Sequence, residues 1–381
     1  MTPDPGAARR EANGATEGRD RRSGAPGRGG AVLATIYDVA KTAGVSPKTV
    51  SRVLNGDAPV GAKTRDAVEA AMQELGYVPS NAARMMRSNR SGLIGLITGA
   101  ISSSTTHTQV AGLPDTLILQ GIQQEIGESS RTLMIADTGG DREKVGDLVR
   151  TFLQHRVEGL LYVAEYHREV QPRLAKAGVP VVLANCYDAL GTPAVLPDDR
   201  QGQHALVERL IAAGHRRIGY LTLDPSMRAS DLRTRGYREA LAEAGIAFDP
   251  ALIEPAYEIG IAEDSAALDA PLTRLLGLDA PPTVICCGND AMAMQLYGLL
   301  RSRGIRVPED MSVAGYDDHR VIAETLYPPL TTAQLPYLDI GRRAARRLLG
   351  LIGAADPETD NPVLVPGPVV WRSSVTARDV S

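Results

Sequence analysis

The chain has 381 residues with a formal net charge of −4, and 43% of its residues are hydrophobic. This composition fits two or three compact globular units, and no apolar run approaches the roughly 20 residues of a membrane span. The first 30 residues contain Arg but no apolar stretch, so they do not form a secretory signal. The cysteines Cys186, Cys286 and Cys287 are too few for a disulfide framework, which favours a reducing compartment, and the cytoplasm is the expected location.

Basic residues are concentrated at the front of the chain. Residues 1–30 contain six Arg against four acidic residues, and residues 35–91 contain eight Lys or Arg against five acidic residues. Because the whole chain is acidic, the remainder has a negative excess, and this distribution favours a polyanionic partner at the front. Residues 1–34 have almost nothing to bury and are predicted to be a disordered tail, which either touches DNA phosphates or is a dispensable extension.

Helical periodicity begins at Thr35, the predicted N-cap of a first helix, with Asp38 three residues later as in a capping box. Ser46 is predicted to cap a second helix whose first residue is Pro47. A third helix follows in the segment AKTRDAVEAAMQELG. The side chains predicted to face inward from it are Ala67, Val68, Ala71, Met72 and Leu75. Short helices joined by a tight glycine-containing turn predict a helix-turn-helix unit over 35–79.

The second of these helices has two chemically different faces. A period of 3.6 residues places the apolar residues on one face, and these are Val50, Val53 and Leu54. The opposite face collects the polar and basic residues Lys48, Ser51, Arg52 and Asn55. Such a stripe suits base edges and phosphates in the major groove of DNA, whereas the alternative is an ordinary solvated face. Its place in a helix-turn-helix unit favours DNA binding.

From Leu93 the pattern changes to short apolar strands that alternate with amphipathic helices, which predicts doubly wound parallel sheets. The predicted strands are LIGLIT, TLMIAD, GLLYVA, PVVLAN, RIGYLT, TVICCG and SVAGYD. The predicted helices include 141–156, 200–213, 233–245 and 289–303. Because this region exceeds the size of one such sheet, two α/β lobes are expected within 92–378. The joining segment 80–91 is predicted to be a linker that contains a conditional hinge helix.

Motifs of enzyme chemistry are missing from the sequence. The six histidines show no metal-ligand spacing, and no GxSxG, P-loop or glycine-rich dinucleotide motif occurs. His215 fits a helix-to-strand turn better than a catalytic base. We therefore expect no enzyme activity, no metal and no cofactor. Two alternatives to a DNA-binding regulator remain: a sugar receptor, disfavoured by the missing export signal, and a two-lobed enzyme, disfavoured by the missing nucleophile–base constellation.

The segment TIYDVAKTAGVSPKTVSRVLN, followed by VGAKTRDAVEAAMQELGYVP, resembles the headpiece of the LacI/GalR-type (lactose-repressor) family of bacterial transcription factors. Later segments are similar as well: AAGHRRIGYL, RTRGY, GNDAMAM, RVPEDMSVAGYDD and PPLTTAQ. The resemblance implies an all-α headpiece and hinge helix, followed by a two-lobed α/β core like a periplasmic sugar-binding protein. Lobe one would comprise about 92–196 and 335–361, and lobe two about 197–334 and 362–378.

The resemblance also implies which headpiece residues contact DNA. The base readers would be Pro47, Lys48 and Arg52, on the helix that Ser46 caps. The residues at the phosphate backbone would be Tyr37, Ser51, Asn55 and Thr64. Gly61 stands where the family often has a serine cap on the third helix, and glycine is the weaker cap. In the hinge, Ala83 and Met86 would lie in the minor groove, with Met86 in place of the usual leucine wedge.

In the core, the family's effector-contacting positions correspond to Arg233, Asn289, Asp317 and Gln334. Carboxylate, amide and guanidinium groups suit a polyhydroxylated ligand, so a sugar or sugar derivative is the expected effector. A purine or nucleoside is the alternative. Purine-type members place an arginine some six residues before the position of Arg233, and this chain has Met227 there.

The resemblance further implies a homodimer that represses transcription from a pseudo-palindromic operator, with effector binding causing release. A dimer is expected rather than a tetramer, because the chain ends soon after WRSSV, without the leucine-heptad helix that assembles tetramers in some relatives. No membrane partner is expected.

Overall fold

The computed structural model describes residues 34–55, 60–78, 90–99, 101, 113–171, 174, 177–256, 265–356 and 358–378. The described residues form two compact units, a small one within 34–78 and a large one within 90–378. Residues 1–33 of the predicted tail lie outside the described residues. So do residues 80–89 of the predicted linker, with Ala83 and Met86 among them.

The small unit is helical, as the sequence predicts. Its helices are α1 (Ile36–Thr42), α2 (Pro47–Asn55) and α3 (Ala62–Leu75). The Asp38 carboxylate accepts hydrogen bonds from the backbone N–H and the hydroxyl of Thr35, at 2.8 and 2.7 Å, and these bonds lower the pKa of Asp38. The Ser46 hydroxyl accepts from the backbone N–H of Thr49 at 3.2 Å. Gly76 ends α3 in the left-handed conformation, with φ of 57°.

The core of the small unit is formed by one stripe from each helix. Its buried members are Val39, Ala40, Val50, Val68 and Ala71. Met72 and Leu75 pack against it from α3, but Ala67 is exposed, so its predicted inward orientation is wrong. The stripe on α3 runs through positions 68, 71, 72 and 75, and position 67 lies about 90° from the centre of that stripe, beyond its edge at Ala71.

The large unit contains two β-sheets. In chain order its strands are β1 (Leu93–Thr98), β2 (Thr132–Asp137), β3 (Gly159–Glu169), β4 (Val181–Tyr187), β5 (Ala194–Pro197), β6 (Ile218–Thr222), β7 (Ile253–Pro255), β8 (Val284–Cys287), β9 (Ser312–Asp317), β10 (Thr331–Gln334), β11 (Val363–Val365) and β12 (Val369–Val370). Every strand named in the sequence analysis is present. The shortest strands were not named there, because three or four residues show no reliable periodicity.

The helices of the large unit pack on the faces of these sheets. In chain order they are α4 (Leu113–Gly127), α5 (Val145–Gln154), α6 (Asp199–Ala212), α7 (Arg228–Glu243), α8 (Ser265–Leu276), α9 (Asp290–Ser302), α10 (Arg320–Ala323) and α11 (Tyr337–Ile352). Helix α7 begins five residues before the predicted start at 233. Met227 precedes it without a side-chain cap, so the sequence shows no capping signal at this boundary.

The strand order shows two doubly wound lobes. Within the described residues, sheet one has the order β11-β5-β4-β3-β1-β2, with all pairs parallel. Sheet two has the order β12-β10-β9-β8-β6-β7, with an antiparallel pair between β10 and β12 at its edge. The carboxyl ends of the parallel strands are therefore the expected place for a ligand in each lobe.

The chain passes between the lobes after β5, after β10 and after β11 within the described residues. The first two crossings lie between β5 and α6 and between β10 and α11. The third was predicted at residue 361, which is too early, because β11 pairs with β5 in sheet one, with Val363 opposite Val195. Strands β11 and β12 lie on either side of a Pro-Gly-Pro segment. Because both strands are so short, the sequence pattern does not show that they belong to different sheets.

Helices α4 and α11 pack against each other in lobe one through a close glycine contact. A Cβ on Gly341 would collide with the backbone carbonyl of Ile118, and a Cβ on Gly121 would collide with that of Leu338. Neighbouring side chains, Ile122 among them, are fully buried. Glycine at both positions therefore permits the backbones to approach, and the contact anchors α11 on lobe one. No helix in the described part of the chain is long and apolar enough to cross a membrane.

Candidate DNA-binding surface and polar cluster of the core

Helix α2 presents the polar stripe on its outer face. Val50 is fully buried and fixes the orientation of the helix, while Lys48 and Arg52 are exposed. Pro47 and Ser51 are half-buried beside them. The arrangement therefore gathers these predicted DNA-contacting residues on one surface of a nine-residue helix. Guanidinium and ammonium groups on such a face are free to reach phosphates and guanine edges.

The remaining headpiece candidates lie on the neighbouring helices. Tyr37 on α1 is 71% exposed, which is unusual for a tyrosine without a partner surface. Thr64 is half-buried in the first turn of α3, and Ser46 is exposed at the start of α2. Asn55 is the last residue of α2, and its side chain lies outside the described atoms.

The effector-contacting candidates of the core come together at the carboxyl edge of sheet two. Asn289 follows β8, Asp317 is the last residue of β9, and Gln334 is the last residue of β10. Asp317 and Gln334 are direct neighbours in the register of the sheet. We call these three residues, with Arg233 and Asp199, the polar cluster.

Arg233 is 4% exposed, yet its side chain is fully charged and well paired. Its Nε donates to Asp199 Oδ1 at 2.7 Å, and its Nη1 donates to the carbonyl of Gly288 at 2.6 Å. The guanidinium lies 3.7 Å from the centre of the Tyr316 ring. Within the described chain, Nη2 makes no hydrogen bond, so it remains as a directed donor.

The side-chain amide of Asn289 makes one hydrogen bond within the protein and keeps one donor group for a ligand. Its side-chain oxygen accepts from the backbone N–H of Met292 at 2.7 Å and so caps helix α9. This bond holds the amide in one orientation, because the oxygen is tied to the helix. The Nδ2 group is then the part of the side chain left to donate to a ligand.

The backbone around Asp317 is strained. Asp317 has φ of 127° and Asp318 has φ of 52°, and both values are rare outside glycine. Such strain concentrates at ligand sites, where surrounding contacts hold it. Here Asp318 Oδ1 accepts from Arg372 Nη2 at 2.7 Å, and its Oδ2 accepts from Gln334 Nε2 at 3.0 Å. Burial raises the pKa of Asp317, and the nearby Arg233 opposes that shift.

Asp290 is a further buried carboxylate beside the carboxyl edge of sheet two. Asp290 accepts from the Thr332 hydroxyl and from the backbone N–H of His319, both at 2.7 Å. Burial raises its pKa to about 7. Asp290 was not among the predicted site residues, although it stands beside Asn289 in GNDAM. Asp199 and His167 were not predicted either, because they belong to no motif and their partners are distant in sequence, and Tyr316 was not singled out within GYDD.

Comparison with known proteins identifies the family. Residues 35–80 match the family model described as bacterial regulatory proteins, lacI family, and residues 207–375 match that of the periplasmic binding protein-like domain. The HTH-type transcriptional repressor PurR of Vibrio atlanticus is 33% identical over 86% of this chain and 94% of its own length. The chain belongs to the lacI family of bacterial regulatory proteins. The ribose operon repressor of Haemophilus influenzae is 30% identical over 90% of this chain and 98% of its own.

Solved structures of the lacI family show the same fold. The Lac repressor dimer bound to operator and the anti-inducer ONPF is 28% identical, covers 90% of this chain and 99% of that chain, and has a TM-score of 0.71. The complex of the transcriptional regulator CelR with cellobiose is 31% identical, with the same coverage and a TM-score of 0.60. The predicted fold class and family are thereby confirmed.

As a lacI-family member the chain is a DNA-binding transcriptional repressor. Its relatives are repressors rather than enzymes, which decides against the alternative of a two-lobed enzyme. The histidine that the sequence analysis weighed as a base has a structural position. His215 is buried, with Nδ1 2.8 Å from the Thr283 hydroxyl and Nε2 3.1 Å from the Thr376 carbonyl oxygen. Burial lowers the pKa of His215. In the described part of the chain, no group of three or more His, Cys, Asp or Glu residues is placed to hold a metal.

Proposed function

We propose that this protein binds a pseudo-palindromic operator as a homodimer in the cytoplasm and that a small polyhydroxylated effector controls its operator affinity. The main support is the convergence of Arg233, Asn289, Asp317 and Gln334 on the carboxyl edge of one parallel sheet. Ligands of doubly wound sheets bind at this edge. The strained backbone at Asp317 adds chemical support, as does the Nη2 donor of Arg233, which makes no hydrogen bond to the residues that the structure describes.

The side chains of the cluster suit hydroxyl groups. A carboxylate accepts from two hydroxyls, whereas a guanidinium and a carboxamide donate to ring and hydroxyl oxygens. This combination is the one that a sugar or sugar derivative requires. The ribose operon repressor and the CelR–cellobiose complex are relatives whose names refer to sugars.

A purine or nucleoside is the second candidate effector. It is favoured by the PurR relatives, of which the Vibrio protein is 33% identical. It is disfavoured by Met227, which stands at the N-cap of α7 where the purine-type members place an arginine. A thioether cannot donate a hydrogen bond to a purine carbonyl or ring nitrogen.

On the DNA side, we propose that Pro47, Lys48 and Arg52 read bases in the major groove. The residues proposed to contact the phosphate backbone are Tyr37, Ser51, Asn55 and Thr64. Ser46, at the N-terminus of α2, is proposed to contact the DNA as well. One α2 helix contacts too few bases to find a site in a genome, so two headpieces are needed. Ala83 and Met86, in the proposed hinge, would contact the minor groove of the same site.

A thermal-shift screen tests the effector class. The parent and Asp317→Asn would be heated with D-ribose, cellobiose, adenine, guanine and their nucleosides. A ligand of the native state raises the melting temperature, and Asp317→Asn should abolish that increase for a sugar because its acceptor pair is lost. A shift with purines alone would replace the first candidate by the second. Mobility-shift titration with the active compound then shows whether operator affinity falls.

A further inference from the structure

His167 lies within an irregular part of strand β3. The register with β4 shifts between Val163 and Arg168, and pairing resumes with Arg168 opposite Cys186. His167 is 5% exposed, and its ring meets the Tyr187 ring edge-on, with the centres 5.8 Å apart. The imidazole is therefore nearly buried, close to the carboxyl end of β3.

The partner of His167 belongs to lobe two. Nδ1 of His167 lies 2.8 Å from Oδ2 of Asp199, which is 1% exposed. Asp199 is the first residue of α6, directly after the crossing from β5, and α6 packs on α7 in lobe two. The bond therefore joins the two lobes at the point where the chain passes between them.

Asp199 also binds the effector-site arginine. Its Oδ1 accepts from Arg233 Nε at 2.7 Å, and its backbone carbonyl accepts from the Tyr316 hydroxyl at 3.2 Å. Burial raises the pKa of this carboxyl, but Arg233 and His167 together outweigh burial, and the pKa is lowered. The carboxylate is thus ionised, and Nδ1 of His167 must donate to it.

We propose that His167 is a positioning residue of the effector site, which holds Asp199 from lobe one and thereby fixes Arg233 in lobe two. Rotation of the lobes stretches the hydrogen bond between His167 and Asp199, and Asp199 then no longer holds the Arg233 side chain in one position. A ligand on Arg233 in turn favours the lobe arrangement in which that bond is made. This inference rests on the proposed role of Arg233 in effector binding.

The first test needs no ligand. Spin labels at Lys144→Cys and Ser226→Cys report the distance between the lobes, since both positions are exposed, one in each lobe, and the native cysteines are buried. His167→Leu removes the donor, and His167→Asn retains one near the position of Nδ1. His204→Leu is the matched control, because His204 pairs with Glu243 at the same 2.8 Å distance but within lobe two.

We expect His167→Leu to broaden or shift the distribution of distances between the lobes in the ligand-free protein. His167→Asn and His204→Leu should leave that distribution unchanged. Because the measurement is made on folded, labelled protein, a distribution in His167→Leu identical to that of the parent would overturn the proposal. Equal broadening in His204→Leu would overturn it as well, since the effect would then not depend on the bond between the lobes.

The second test measures D-ribose binding by calorimetry. Loss of a hydrogen bond that holds a charged group should weaken binding by about tenfold in His167→Leu, and His167→Asn should restore it to within about twofold. Equal affinities in the parent and His167→Leu would contradict the proposal. If the parent binds no D-ribose while His167→Leu still changes the distance distribution, D-ribose is not the effector and the role of His167 between the lobes stands.

Discussion

Arg233 and Asp199 form an ion pair inside lobe two, with both side chains almost completely buried and Nε 2.7 Å from Oδ1. Removing one member of such a pair leaves the charge of the other member without an opposite charge, in surroundings of low dielectric constant. Arg233→Ala should therefore lower the free energy of unfolding by about 3–5 kcal/mol, in addition to abolishing effector binding. Urea denaturation measures the loss.

Arg274→Ala serves as the control for that prediction. Arg274 pairs with Glu254 at the same distance of 2.7 Å, but its side chain is 56% exposed. Water and salt screen an exposed pair, so its removal should change stability little. Comparable losses in the two variants would show that burial does not determine the effect at Arg233.

The exposed position of Arg52 on α2 predicts a sequence-specific role. Arg52→Ala should weaken operator binding by about 1–3 kcal/mol and relax specificity at one base pair. Lys41→Ala removes an equal charge from α1 and should weaken binding less, and equally for every operator variant. Gel-shift titrations on single-base operator variants separate the two patterns. A uniform loss for Arg52→Ala would mean that it contacts only the backbone.

Control of the operator by the effector must be reciprocal. If effector binding at Arg233 and Asp317 weakens operator affinity, bound operator weakens effector affinity by the same factor. Titrating the effector calorimetrically, with and without operator, measures both sides of this linkage. Two identical affinities would show that the sites are uncoupled.

Asp290 should give stability a characteristic pH dependence. Its pKa is raised from 3.8 to about 7 in the folded state, so the folded protein binds this proton more tightly than the unfolded chain. The resulting stabilisation is present below about pH 4 and is lost as the pH rises to about 7. Asp290→Asn should therefore flatten the decline of unfolding free energy between about pH 5 and pH 7.

Asp310→Asn is the comparison for Asp290→Asn. The pKa of Asp310 is lowered to about 2 by its hydrogen bonds with Arg306, so Asp310 is ionised in both states above about pH 5. Its replacement should leave the slope between about pH 5 and pH 7 as in the parent. Urea denaturation across this range distinguishes the two, and a slope that persists in Asp290→Asn would assign it to another group.

Replacing glycine by alanine should have opposite effects on stability at two positions. One is Gly341 in the contact between α4 and α11, and the other is Gly298 in α9. Gly341→Ala should destabilise lobe one by about 1–3 kcal/mol, because the new Cβ meets the carbonyl of Ile118. Gly298→Ala, in the exposed interior of α9 with no atom near the new Cβ, should stabilise by about 0.5–1 kcal/mol. Thermal unfolding compares them. A neutral Gly341→Ala would mean that the two helices can separate without cost.

Much of the headpiece was predictable because its signals are local. The capping pair of Thr35 and Asp38, the Ser46 cap and the polar stripe on α2 all lie within one or two helical turns. Only the inward orientation of Ala67 failed, by one position at the edge of the stripe. The strands of the core were equally readable, since a short run rich in apolar residues marks each of the predicted ones.

The sequence by itself determined the headpiece helices, the longer strands and the family, because these depend on neighbouring residues and on local motifs. Only the tertiary structure decided which sheet β11 joins, and which groups meet at the carboxyl edge of sheet two. Asp199 lies 32 residues from His167 and 34 from Arg233. No periodicity connects residues at such separations, because sheet topology and the crossing between the lobes bring them together.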